Sequence, residues 1–431
     1  MGNQKDNTSL WACTSGAPPL RAQPLCGALE SDIVVVGGGF TGCSAALHAA
    51  QRGADVCLLE ACTIGHGGSG RNVGLVNAGL WLEPKRVENT LGPDAGARLN
   101  RALAGGPGKV FSLVEKHGIE CDVTRTGTLH CAHSRAGLAI LRKRLRQYRD
   151  LGGCVDLLSA HETALRTGTK RYLGALLDHR AGTLQPLAYV RGLASAAIGA
   201  GAGLFEHSPV TTLTRRNGKW VVQTEQGLVR AGALVLATNA YHEGLEHRAA
   251  PSYTALNYFQ IATSPLDEDI AGSILTERQG AWDTMKVMSS FRVDADGRLV
   301  LGTIGSLDGP GRHAHLNWAR NRLGDLFPGV ADCDIEYAWS GRMAMTSDHL
   351  PRIVRFGERA LSVYGYSGRG IAPGTLFGAC VAEYLLTGNR DELPLVPIAA
   401  HHEQFTVYRQ RWYELGATLF HWLDAHLPVR G

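Results

Sequence analysis

Gly37, Gly39 and Gly42, followed by a carboxylate at Glu60, are the residues whose spacing specifies chemistry most directly in this 431-residue chain. Gly37 permits a tight turn, Gly39 lets backbone approach a pyrophosphate, and Gly42 lets a helix pack close to a sheet. The start of that helix offers free N–H groups and a partial positive charge to phosphates. Glu60 lies 18 residues beyond Gly42, where a carboxylate accepts hydrogen bonds from ribose hydroxyls. A 2′-phosphate there would meet like charge, which disfavours NADP. These parts need a β-branched strand at 32–36, a helix from about 40, and a second strand at 55–59 ending in Glu60. The order strand, turn, helix, strand, acid predicts an adenine-dinucleotide site. A βαβ unit whose glycines serve packing alone is the competing reading.

Two more glycine-rich segments ask for a larger ligand. Residues 63–72 include Gly65, Gly67, Gly68 and Gly70, read as a loop too flexible for any helix, with Ser69, Arg71 and Asn72 as donors. Residues 367–374 hold a third loop that opens an apolar helix over 375–386. NAD needs only the first loop, whereas a flavin reaching across to the far end of the chain needs all three. Negative charge on a reduced flavin is stabilised by a helix N-terminus or an arginine.

Length and composition bound the rest. The chain exceeds what one hydrophobic core serves, so two domains are expected. Net charge is +4, too mild for a nucleic-acid partner. No apolar run approaches the ~20 residues of a bilayer span. Residues 1–6 lack the basic and apolar parts of a signal peptide. Ten cysteines show no metal-ligand spacing, the 17 histidines are scattered, and no metal site is expected. Cysteines such as Cys43 and Cys57 read as small core residues, which suits a reducing cytoplasm.

The organisation expected is a strap at 1–30 and a cofactor domain over 31–83, 159–243 and 340–390. A substrate domain takes 84–158 and 244–339, and a helical segment follows at 391–431. One helix puts Leu138, Leu141, Leu145 and Tyr148 on one face and Arg142, Lys143, Arg146 and Arg149 towards solvent. That basic run reads as a solvated face rather than a partner site. A helix at 183–203 leads to strands at 210–213, 220–224 and 233–239, a meander returning to the main sheet. Runs at 258–262, 287–292 and 299–302 belong to a large antiparallel sheet. In a last helix at 403–425, Phe405, Tyr408, Trp412, Leu415, Leu419 and Trp422 recur at alternating three- and four-residue steps. Packing of that stripe onto the protein's own body is expected before docking on a membrane or subunit.

The segments Ser9-Leu10-Trp11, Gly37 to Gly42, Gly67-Gly68-Ser69-Gly70-Arg71-Asn72, Ala237-Thr238-Asn239, Thr346-Ser347-Asp348-His349 and Gly365 to Gly370 together carry a resemblance. The chain resembles the FAD-dependent amine oxidases of the D-amino acid oxidase/glycine oxidase superfamily. Within it, the chain looks most like the γ-glutamylputrescine oxidase and L-pipecolate oxidase group. The resemblance implies an α/β fold with a Rossmann-type FAD-binding domain and a substrate domain built on a large antiparallel sheet. It implies FAD contacts at Gly37, Gly38, Gly39, Phe40, Thr41, Gly42 and Glu60. Ser69, Arg71 and Asn72 would lie along the flavin, Val210 at the adenine, and Ala237 and Thr238 at the edge of the site. Gly368, Arg369, Gly370 and Ile371 would approach the pyrimidine side. Some relatives tether FAD through a cysteine near the segment matching Asp348. Residues 339–349 contain none, so non-covalent FAD is expected. The lysine that relatives use for oxygen has no match in 299–302, which counts against O2 and keeps a quinone open as the acceptor.

The implied reaction passes hydride from the α-carbon of a primary or secondary amine to flavin N5, giving an imine that hydrolyses. Imino acids, γ-glutamylated polyamines and N-alkyl amino acids are the substrate classes. Tyr241, Tyr258, Trp282, Trp339 and Tyr366 are candidates for an aromatic wall or for the core. His66 and His349 either deprotonate a substrate ammonium or serve the structure. Arg369 either grips a carboxylate or faces the flavin. An NAD-dependent dehydrogenase would leave two loops unexplained and purify colourless. A flavin-bearing subunit without turnover of its own would copurify with a second chain.

Overall fold

The computed structural model describes residues 5–6, 8–245 and 250–426, and most of its strands fall in two large sheets. The residues 1–4 read for targeting features, and 427–431 of the C-terminal segment, lie outside the described residues. Ile33, Val34, Val35 and Val36 form the buried end of strand Gly27–Val36. This strand pairs in parallel with Val56–Leu59 and with Gly227–Leu236, and Gly203–Phe205 continues the sheet beyond Val56–Leu59. Near-continuous apolar runs suit parallel strands covered on both faces. The meander is present. Val210–Arg216, Lys219–Thr224 and Gly227–Leu236 are antiparallel neighbours, and the last rejoins the central strand. Its C-terminal residues Leu234 to Leu236 pair in parallel with Ala360–Tyr364. Helix Phe40–Gln51 packs between Pro186–Gly199 and Ile371–Thr387. Gly378 allows that crossing, since a Cβ there would lie 2.3 Å from Thr41 O.

The second sheet has nine strands and is antiparallel except at two pairings. Lys5–Asp6 runs parallel to Ile335–Met345, and Gly280–Asp283 runs parallel to Thr128–Cys131. Along Thr254–Thr263, Phe259 and Ile261 join Trp318 and Leu323 of helix Arg312–Leu326 in one core. The alternate residues Tyr258 and Gln260 turn to the opposite face, which lines a cavity between the sheets.

Several expectations change. The second glycine loop contains a single 3-10 turn at Gly68–Gly70, so it is not devoid of helical structure. Strand Gly174–Asp178 pairs with Thr128–Cys131 and Val155–Ser159, and so joins the nine-stranded sheet from within 159–243, the stretch expected in the cofactor domain. Ile335–Met345 likewise carries that sheet past residue 340. The strap is pinned inward: Trp11 is buried, donates Nε1–H to Asn72 O over 2.8 Å and meets Trp339 edge-on.

The aromatic stripe of helix Thr406–His426 faces solvent instead of the body. Polar groups hold the inner side. Glu414 accepts from Asn257, and Trp318 Nε1 donates to Asp424 over 2.7 Å. His315 Nδ1 and His421 Nδ1 lie 2.7 Å apart, so one ring donates and the other accepts, and both stay neutral. Burial lowers His315 to about 4, and burial with the neighbouring His315 lowers His421 to about 3. Unfolded imidazoles take up protons near the ordinary value first, so this pair stabilises the fold at neutral pH. That stability drains away as pH falls from the ordinary imidazole range towards about 4. The melting temperature is therefore expected to drop across that interval, and the drop to flatten in His421→Leu, as a thermal melt at each pH will show.

Candidate active site

The glycine turn is shaped by its neighbours. Gly37 has φ of +110°, a region that favours glycine, and its N–H donates to Leu59 O over 2.8 Å. Gly38 N–H donates to Glu60 Oε2 over 2.6 Å, and Cys62 N–H to Oε1 over 2.9 Å. Burial raises the Glu60 carboxyl while these amides oppose the shift. The carboxylate is held at the strand end with lone pairs left for ribose hydroxyls. Gly39 precedes helix Phe40–Gln51 without a side-chain cap of its own, and Ser69 Oγ accepts from Phe40 N–H over 3.1 Å. The glycine turn and the helix start beyond this capped amide border the cavity, where backbone and helix dipole suit a pyrophosphate. Val210, Ala237 and Thr238 border the same cavity.

The second loop is rigid because its polar groups are spent on itself. Asn72 Nδ2 donates to Gly68 O and Ser69 O over 2.9 and 3.0 Å, and Oδ1 accepts from Gly74 N–H over 2.9 Å. Arg71 Nε and Nη1 donate to His66 O and Ser340 O over 3.0 and 3.1 Å. Its own carbonyl accepts from Trp339 Nε1 over 2.9 Å and Gln260 Nε2 over 3.2 Å. Arg71 and Trp339 are therefore not brought to the cavity. They stand behind the loop, where they satisfy backbone carbonyls and each other.

The third loop turns sharply at Ser367 and Gly368, with φ of +49° and +90°. Gly370 then caps helix Ile371–Thr387, whose first residues border the cavity. Thr41 Oγ1 and Tyr366 OH, 2.7 Å apart, tie this loop to the first. Arg369 is buried, donates Nη1–H to Ala78 O over 2.7 Å, and lies 5.1 and 5.2 Å from the ring centres of Trp81 and Trp282. Burial lowers the guanidinium to about 10, which leaves it charged at neutral pH.

All three loops meet on one continuous cavity of about 970 Å³. Its far end is walled by Tyr241, Tyr258, Trp282 and Tyr366. Trp282 stacks on His130 at 4.9 Å, and Tyr241 OH accepts from Arg342 N–H over 2.9 Å. Among the described residues, Tyr258 OH, Gln260 Oε1, Trp282 Nε1, His130 Nδ1 and Arg369 Nε are buried without a hydrogen-bond partner. The residues that carry these five atoms all border the cavity. His66 and His349 also border it, both held below the ordinary imidazole range by burial first and by nearby arginines second.

Trp81, His130 and Gln260 were missed from sequence. Gln260 follows Tyr258 by two in an alternating strand and so had a readable signal. His130, polar in an apolar strand, had a weaker one, and Trp81 had none. The three-loop cavity fits FAD: backbone cradle and ribose acid at one end, helix N-terminus and Arg369 at the other.

The profile of the FAD dependent oxidoreductase family, DAO, matches residues 32–384. The chain is 31% identical to the gamma-glutamylputrescine oxidoreductase of Escherichia coli (strain K12) over 383 residues, 87% of this chain and 88% of that one. It is 29% identical to the probable oxidoreductase OrdL of Haemophilus influenzae over 372 residues, 84% of each chain. The crystal structure of glycine oxidase from Geobacillus kaustophilus superposes with a TM-score of 0.70 at 21% identity, covering 87% of this chain and 99% of that one. Loop geometry and family profile agree, and the chain belongs to the DAO family of FAD-dependent oxidoreductases.

Proposed function

We propose that this enzyme oxidises the C–N bond of a primary or secondary amine that also bears a carboxylate. The observation that carries the reading is Arg369, a buried cation that borders the cavity beside Trp81 and Trp282. Imino acids, γ-glutamylated polyamines and N-alkyl amino acids all carry such a carboxylate. The name of the Escherichia coli relative supports an amine substrate. Bound FAD supplies a two-electron acceptor for the carbon beside the amine nitrogen, giving an imine that water hydrolyses.

The chain's own residues do the remainder. Gly37 to Gly42 and Glu60 hold the dinucleotide, while Gly368, Gly370 and Ile371 border the ring end. Tyr241, Tyr258, Trp282 and Tyr366 exclude water and orient the amine. His66 and His349, both on the cavity and held below the ordinary imidazole range, are our candidates to take the ammonium proton, the step that frees the nitrogen lone pair. FAD is held without a covalent bond to cysteine: Cys62, which borders the cavity, lies beside Glu60 at the ribose end. O2 or a quinone reoxidises the enzyme. Ten free cysteines support a reducing, cytoplasmic setting.

Anaerobic mixing with paired amines, each with and without a carboxylate, tests this while the visible flavin absorbance is followed. Bleaching by the carboxylated member alone is expected, and recovery on admitting air identifies the acceptor. Equal bleaching by both members would remove the carboxylate from the reading.

A further inference from the structure

We propose that the outer face of helix Thr406–His426 docks against the same face of a second copy of this chain. Tyr408, Trp412, Leu415 and Leu419 are 72%, 75%, 69% and 58% exposed, and Phe405, just before the helix, is 70% exposed. Monomeric proteins seldom leave so many large apolar side chains contiguous in water.

The spacing names the occupant. Within the helix, positions 408, 412, 415 and 419 alternate steps of four and three, the a and d pattern of a seam between two helices. A seven-residue repeat keeps that seam in line with a partner helix along its length. Charge points the same way. The helix holds two arginines, Arg409 and Arg411, and Arg409 is already paired with Glu403 at 2.9 Å. Such a helix lacks the cationic polar face that an anionic lipid surface selects.

A two-fold contact needs no other sequence, because one patch serves both sides. Two copies meeting here remove on the order of 1,000 Å² from water, the lower bound for a specific interface. Glu414, His421 and Asp424 anchor the inner side, so the strip is presented rigidly. Tyr413, next to Trp412, borders the cavity, which puts the second copy at the rim of the active site.

Sedimentation of the full FAD-loaded chain tests the proposal. The wild type is expected at twice the chain mass. Leu415→Glu is expected at the chain mass, with its dissociation constant raised at least about 30-fold and with FAD content and far-UV circular dichroism unchanged. Should Leu415→Glu lose FAD, Trp412→Ser is read in the same way. A wild type that stays monomeric at every concentration overturns the proposal. So does a dimer that both substitutions leave intact, or a monomer that partitions onto phosphatidylcholine vesicles.

Discussion

Gly42→Ala yields a chain that purifies without FAD. A Cβ at Gly42 would fall 1.9 Å from Gly37 O and 3.1 Å from Gly37 C. Both are backbone atoms of a turn already pinned by Gly37 N–H to Leu59 O and by Gly38 N–H to Glu60. Nothing there yields cheaply, so the helix must move away from the turn and carry its free amides with it. Overpacking of this kind costs about 1–3 kcal/mol by itself. Each misplaced amide-to-phosphate bond costs about 1.5–3 kcal/mol more. Together these raise the FAD dissociation constant on the order of a thousandfold. Visible absorbance per chain, and the shift in melting temperature on adding FAD, measure it. Gly108→Ala is the control, because a Cβ there meets nothing within 4 Å and lies in helix Gly106–His117. It should keep its colour and gain up to about 1 kcal/mol. A yellow Gly42→Ala enzyme would mean that the pyrophosphate sits elsewhere.

Arg369→Leu abolishes selection for the carboxylate. Removing one member of a desolvated charge pair costs about 3–5 kcal/mol, so kcat/KM for a carboxylated amine should fall about a thousandfold. The matched amine without a carboxylate should lose less than about tenfold. Arg369→Lys keeps the charge but loses both the planar fork and the stacking between Trp81 and Trp282, so it should recover little. The melting temperature gives a second reading. Without substrate, Arg369 is a buried cation bonded to Ala78 O, so replacing it by an apolar residue should leave the free enzyme stable. Equal losses on both amines would reassign Arg369 to the flavin alone.

Not every residue type in a motif does what the motif implies. Arg71 and Asn72 sit in the loop that relatives resemble, yet their side chains bond carbonyls of neighbouring backbone. Trp339 pairs directly with Gln260 across two strands and so shares its face. It lies one strand farther out, where Trp11 and the Arg71 carbonyl close over it. That cover comes from two distant parts of the chain, and no local pattern announces it. The same limit holds at Gly174–Asp178, whose partners are chosen by sheet pairing and not by nearness in sequence.

The dinucleotide turn, its acid and the meander were determined by the sequence alone. The contact of Gly38 with Glu60 and those of the meander strands with one another join residues close along the chain, so spacing and residue type already contain that geometry. The aromatic seam was equally plain as a period, but the period is silent about direction. Only the tertiary structure decided that the stripe points outward, that Arg71 stands behind its loop, and that His130, Gln260 and Trp282 share a cavity with Arg369. Whether a side chain is buried, and against what, is a property of the surfaces brought to it from elsewhere in the chain.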